Sequence, residues 1–382
     1  MIEHESGLPP IDRKVIKEVE FQPFMSWGLV EQWADGIPSF SDMDTLHPEW
    51  RPTPVIPLDL TSDGYGEVHV KNEADTESNP TGTIKDRAAW ELATLYRDYA
   101  RALYEKVKVG NLTKGEVERT PVPKFSMITA GNEGRAVAAC FEKHDLPPPK
   151  LIVGLTTPES RLHTLQQLRA DVYQVDLSRQ ALTAEEIMRL SNNPGGIDIT
   201  SVRSIEPNAI FYDWHVHEAF NEQPDEIYVP YGSGRLMENY LIWQERTIRN
   251  ESNRERDKRL RAEPGKIVSI NVLGGEPVKP DSIADKLTAR FKPFLIFNDS
   301  DISALARLDF TGRETEKVHV AEERIQEAFN IFQRHKVEAE PSAAAGLALY
   351  LERFSQGLIP KDKKILVVNT GRGIDFEETE NV

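Results

Sequence analysis

A lysine at the end of a polar, turn-rich run is the residue of this chain best placed for covalent chemistry. Ser78-Asn79-Pro80-Thr81-Gly82-Thr83-Ile84-Lys85-Asp86-Arg87 brings Lys85 to the point where an amphipathic helix begins. Ala89, Leu92, Tyr96, Tyr99 and Leu103 follow at spacings of three and four, the period of one helix face. A cation at a helix start meets the positive end of the macrodipole, which favours the neutral amine. A neutral amine attacks an aldehyde to form a Schiff base. The same run also reads as a turn and a helix with a solvated surface lysine.

Further segments join strand-like runs to turns. Phe125 to Thr129 reads as a buried strand, Ala130 to Gly134 as a turn, and a helix is expected from about Arg135. Backbone N–H groups at such a helix start bind anions. Glu226 to Pro230 is a strand leading into Tyr231-Gly232-Ser233-Gly234-Arg235-Leu236 and another helix. Small residues there let the backbone close around a phosphate. Strands are also expected at Leu151–Leu155, Val172–Val175, Ile267–Leu273 and Lys364–Asn369, with a helix near Glu159 to Arg169. Strands alternating with helices imply a mostly parallel sheet covered on both faces.

The run around Lys85 resembles the Asn-Pro-[Thr/Ser]-Gly-x-[Phe/Ile/Val]-Lys-Asp-Arg segment of the fold-type II pyridoxal-phosphate enzymes. These include threonine synthase, the threonine and serine dehydratases, cysteine synthase and the tryptophan synthase β subunit. The resemblance implies that Lys85 carries pyridoxal 5'-phosphate and then removes the substrate's α proton. Thr129-Ala130-Gly131-Asn132-Glu133-Gly134 resembles the family's Ser/Thr-x-Gly-Asn-x-Gly loop, which holds the substrate carboxylate. That nominates Thr129, Ala130, Gly131, Asn132 and Glu133, with Asn132 also turned to the cofactor's phenolic oxygen. Gly232, Ser233, Gly234, Arg235 and Leu236 are similar to the phosphate cup, with Arg235 where a third glycine is usual. A positive φ at that position would disfavour arginine, whereas its charge would add a contact to phosphate.

Near the end, Asn369-Thr370-Gly371-Arg372-Gly373 looks like the Thr-Gly-x-Gly of threonine synthases. There the hydroxyl residue, here Thr370, faces the pyridine nitrogen and leaves it largely uncharged, which suits elimination and replacement at the β carbon. Glu340-Pro341-Ser342-Ala343-Ala344-Ala345 resembles a run of dehydratases and threonine synthases, whose small residues would let a helix pack close to the cofactor. Ser282 to Asp285 resembles a dehydratase segment more loosely. The resemblance runs from about Arg51 to the C-terminus; the first 50 residues match no pattern.

Glu133 departs from the family, which commonly has Thr or His there. A carboxylate beside a carboxylate-binding turn repels an ordinary amino-acid substrate. Three readings stay open. The substrate carries a second amine, as in diaminopropionate; Glu133 is a protonated acid that serves the departing group; or it faces solvent at a helix start.

Composition bounds the rest. A length of 382 residues with 39% hydrophobic and 28% charged residues suits a globular protein of two domains or one large one. The formal charge of −16 opposes a nucleic-acid partner. Cys140 is the single cysteine, which excludes an internal disulfide and suits a reducing compartment. No signal-peptide pattern opens the chain and no apolar run is long enough to cross a bilayer, so a cytoplasmic location is expected. His215 and His217 have no third ligand nearby, so a packed or exposed pair is expected and no metal. Lys106 to Pro123 looks like an insertion, and Arg246 to Lys266, with its Arg254–Arg259 run of alternating charge, reads as another and as a solvated helix face.

The expectation is an α/β protein of two domains with twisted, mostly parallel sheets and the cofactor in the cleft between them. The smaller domain would span residues 71–205 and the larger 51–70 plus 206–382, with residues 1–50 an extension packed on the core. The function expected is a pyridoxal-phosphate lyase acting by elimination on an amino acid with a β or γ leaving group, as in threonine synthases or amino-acid dehydratases and ammonia-lyases, in a homodimer. Two alternatives are a β-replacement enzyme of the cysteine synthase type and a cofactor-binding sensor or partner subunit without turnover.

Overall fold

The computed structural model describes residues 13–37, 51–129, 131–178, 182–199, 212–232, 234–249, 270–278, 281–288, 315–359 and 362–374. Ala130, Ser233 and the Arg254–Arg259 run lie outside them. In chain order come β1 (Arg13–Lys17), α1 (Trp27–Gly36), β2 (Val55–Asp59), β3 (Glu67–Asn72), α2 (Lys85–Lys108) and α3 (Lys114–Val117). Then follow β4 (Phe125–Ile128), α4 (Asn132–Lys143), β5 (Lys150–Gly154), α5 (Glu159–Gln167), β6 (Asp171–Val175), α6 (Ala184–Leu190) and β7 (Ile197–Asp198). After these stand α7 (Asp213–Asn221), β8 (Glu226–Pro230), α8 (Arg235–Arg249), β9 (Asn271–Pro277) and β10 (Thr315–Val320). Last are α9 (Glu322–Arg334), α10 (Ala345–Ser355) and β11 (Ile365–Asn369).

Two sheets result. The smaller has the order β1-β6-β5-β4-β7 and is parallel apart from β1. The larger has the order β10-β9-β8-β11-β3-β2 and is parallel apart from β2. This is the expected α/β arrangement of mostly parallel strands. Every residue of β4, β5, β6, β8 and β11 is buried, because helices cover both faces. β3 extends through Asn72, so Lys71 and Asn72 belong to the larger sheet. β1 is an edge strand of the smaller one.

The helix carrying Lys85 is fixed by its buried stripe. Ala89, Leu92, Ala93, Tyr96, Ala100 and Leu103 of α2 are buried against α1 and α4 in the core of the smaller sheet. Trp33 of α1 meets Tyr96 edge-on at 5.2 Å, so residues 13–37 are built into this half of the molecule although no motif marks them. Truncating a buried tryptophan like Trp33 to alanine costs about 3–5 kcal/mol.

Two expectations change. α4 starts at Asn132 rather than Arg135, because Gly131 at φ +140° completes the turn before it. The strand expected at Ile267–Leu273 is β9, which runs on to Pro277 because its pairing with β8 and β10 continues. The small residues after Glu340, with Gly346 just past them, also let α10 pack closely on the larger sheet: a Cβ on Gly346 would stand 2.7 Å from the Tyr228 carbonyl oxygen. Of that run, Ser342 reaches the cavity described next.

Candidate active site

A cavity of about 270 Å³ opens beyond the carboxyl ends of β4, β5, β8 and β11, where open α/β sheets place their ligands. Lys85, Thr129, Gly131, Asn132, Glu133, Gly232, Gly234, Arg235, Leu236 and Thr370 all line it. These are all the expected site residues that are described; Ala130 and Ser233 are not.

Lys85 is the first residue of α2, and the turn before it is held from three sides. Asp86 Oδ2 accepts the Thr81 N–H at 3.0 Å and the Thr81 hydroxyl at 2.8 Å. Burial pushes the Asp86 carboxyl up to about 6, against those bonds. Across the turn, the Ile84 N–H donates to the Thr370 carbonyl at 2.9 Å and the Arg372 N–H to the Gly82 carbonyl at 3.0 Å. The loop before Lys85 is thereby tied to the end of β11.

The Lys85 ammonium donates to the Tyr212 hydroxyl oxygen at 3.0 Å and lies 3.6 Å from Glu133 Oε2. Burial pushes the amine down, but the Glu133 carboxylate and the Tyr212 oxygen outweigh it and hold Lys85 above the ordinary lysine range. The neutral amine expected from the helix dipole is therefore corrected. Two oxygen partners beat a partial charge. Glu133 is half-buried and turned to Lys85, not to solvent.

The loop opening α4 is shaped by Thr129, whose hydroxyl accepts the N–H groups of Gly131 and Gly134, each at 3.1 Å. What it offers an anion is then the N–H groups of Asn132 and Glu133 at the start of α4. Asn132 spans the cleft. Its Nδ2 donates to Glu340 Oε1 at 2.9 Å, and its Oδ1 accepts the Ile374 N–H at 2.8 Å. The other oxygen of Glu340 takes Lys286 Nζ at 2.5 Å. One amide hydrogen of Asn132 is left for a ligand.

The turn after β8 fits a phosphate. Gly234 carries the positive φ of +80°, so Arg235 begins α8 without entering the glycine region. A Cβ on Gly232 would stand 3.2 Å from Leu287 Cδ2, a tight contact that the Leu287 side chain would have to relieve. The N–H groups opening α8, the Arg235 side chain at the cavity and the Lys85 amine make a set that suits a phosphorylated aldehyde.

Residues 46–238, half of the chain, match the pyridoxal-phosphate dependent enzyme family. The chain belongs to that family. Its cofactor is pyridoxal 5'-phosphate, in keeping with the residues around the cavity. Over 362 residues the chain is 23% identical to a threonine synthase of Halalkalibacterium halodurans, covering 92% of this chain and 90% of that protein. The fold is similar to that of a pyridoxal 5'-phosphate-dependent aspartate racemase (TM-score 0.58, 17% identity, 94% of this chain and 99% of that one). It is also similar to maize serine racemase (TM-score 0.56, 17% identity, 92% and 96%). The diaminopropionate ammonia lyase of Escherichia coli shares it too (TM-score 0.56, 15% identity, 97% and 96%).

Several cavity residues carry no sequence signal of their own. Tyr212 precedes α7, Arg161 sits on α5, and Lys286 lies in the loop after β9, next to Asp285 of the segment that loosely resembles dehydratases. Arg161 and Asp285 face each other across the cleft at 3.5 Å. Of the two histidines, His217 accepts from Asn221 at 3.0 Å, while His215 is wholly buried.

Proposed function

We propose that this pyridoxal-phosphate dependent enzyme is a lyase that eliminates a substituent from an amino acid. The observation that carries the reading is a carboxylate, Glu133, 3.6 Å from the amine of Lys85. Lys85 would hold the cofactor, with Gly232, Ser233, Gly234, Arg235 and Leu236 around its phosphate. Asn132 would give its remaining amide hydrogen to the phenolic oxygen, and Thr370 would face the pyridine nitrogen. Bound pyridoxal phosphate supplies an electron sink conjugated to the substrate's α carbon. The N–H groups of Asn132 and Glu133 take the substrate carboxylate. Lys85 in its neutral form accepts the α proton and passes it to the Glu133 carboxylate 3.6 Å away, which delivers it to the departing group.

Racemisation asks for a second base on the far side of the α carbon. Glu133 instead stands next to Lys85, which favours handing a proton on. Threonine synthase and ammonia lyase among the relatives support the same branch, although racemases share the fold.

The test is a panel of hydroxy, phospho and diamino acids assayed for release of ammonia and 2-oxo acid. Glu133→Gln is expected to lose about 100-fold or more in kcat with KM little changed, the range of a lost general acid. Selective loss of the diamino acids would instead assign Glu133 to substrate choice. Full activity on every substrate would return it to capping α4. A thioether formed from an added thiol, in place of the 2-oxo acid, would overturn elimination in favour of β-replacement.

A further inference from the structure

Behind Lys85 lies a buried charge network that the proposed chemistry does not use. Lys71 and Glu73 come from β3 and the residue just after it, Arg87 from α2, and His215 and Glu218 from α7; all are buried. Arg87 donates to Glu73 at 2.9 Å and to both oxygens of Glu218 at 2.8 and 3.0 Å. Lys71 donates to Glu218 at 2.5 Å. His215 Nδ1–H donates to Glu73 at 2.7 Å, and its Nε2 accepts the Tyr240 hydroxyl at 2.8 Å. Two cations meet two carboxylates, and burial pushes His215 below its ordinary value, so the ring is neutral.

The placement is what matters. Arg87 is two residues past Lys85, and His215 is three residues past Tyr212. The network therefore clamps the start of α7 to the start of α2, which sets the Tyr212 oxygen 3.0 Å from the Lys85 amine. We propose that Tyr212 is the positioning residue of Lys85 and that the His215–Glu73–Arg87–Glu218 network holds it there. This deepens the proposed function and rests on Lys85 as the reacting amine. Breaking one link in a buried network leaves its partner uncompensated, so loosening is felt along the whole clamp.

The groups facing Lys85 are Glu133 from α4, Tyr212 before α7 and Arg235 from α8. With the hydroxyl of Tyr212 removed and its ring kept, the ammonium loses an acceptor and the amine becomes neutral at lower pH. The cofactor-free chain is acetylated across a pH series and Lys85 is followed by peptide mass, with exposed Lys108 as internal standard. In Tyr212→Phe, Lys85 is expected to label at least about threefold faster relative to Lys108 at a given pH. His215→Leu should move it the same way, and His215→Asn, which keeps a donor for Glu73, should restore it. Tyr240→Phe, which removes only the donor to His215, gives a milder disturbance should His215→Leu not fold. A labelling profile unchanged in Tyr212→Phe overturns the positioning role. A change there with none in the His215 and Tyr240 variants overturns the network's part. Failure of the Lys85 assignment shows separately, as borohydride fixing the cofactor on another lysine of the wild-type chain.

Discussion

Asp86 stands beside Lys85, and its carboxyl is drawn in opposite directions. Burial favours the protonated acid, while three donors from Thr81 and Thr83 favour the anion. Burial wins, and the group titrates at about 6 against an ordinary 3.8. The folded chain thus holds this proton more tightly than the unfolded chain. The stability it contributes is present in acid and is lost as pH rises through about 6. A shift of this size corresponds to about 3 kcal/mol, less the part that solvent screens at a half-buried group. Asp86→Asn should therefore lose less stability than the wild type between about pH 4 and about pH 7. Urea unfolding of both proteins at the two pH values measures it; equal losses would show that Asp86 keeps its ordinary value. The anion formed at neutral pH is also the better acceptor for the turn that aims Lys85.

At the scale of elements, the tie between residues 82–84 and 370–372 decides where α2 begins. Gly371 has φ +143°, and a Cβ on it would stand 2.7 Å from the Gly82 carbonyl oxygen. Gly371→Ala should cost about 2–5 kcal/mol, backbone strain and overpacking together, and lower activity with it. Gly357→Ala is the control: its φ is +70° with open space around it, so only the strain of about 1–2 kcal/mol is expected there. Equal denaturation midpoints for the two variants would refute the tie. Such contacts mark the limit of what the sequence discloses. The strands and the buried stripe of α2 are legible because burial imposes a local period, and the site loops because short motifs mark them. The clamp of Lys71, Glu73, Arg87, His215 and Glu218 is drawn from three distant segments, and no spacing links them. Tyr212 escapes notice for the same reason. The protonation of Lys85 is not legible in the sequence because a dipole is local, whereas Glu133 and Tyr212 reach the amine through the fold.

On the whole molecule, the cavity is where the two sheets answer to one another. Asn132 reaches Glu340, Arg161 faces Asp285, and the Lys85 loop is tied to the end of β11, so each wall is partly held by the other. A ligand that spans the cavity binds the folded chain alone and stabilises both halves. At 100 times its Kd that linkage amounts to about 2.7 kcal/mol, a rise of several degrees in Tm. Pyridoxal 5'-phosphate should therefore raise Tm clearly, and pyridoxal, which lacks the phosphate that Gly234 and Arg235 would hold, should raise it less. Lys85→Ala should fold and keep only part of the shift, since the turn proposed to hold the phosphate is intact but the proposed covalent anchor is gone. Borohydride should add the cofactor's mass to Lys85 in the wild type and to no residue in the variant. The same shift in wild type and Lys85→Ala would place the binding elsewhere, because a cofactor anchored through α2 cannot be indifferent to the amine that begins it.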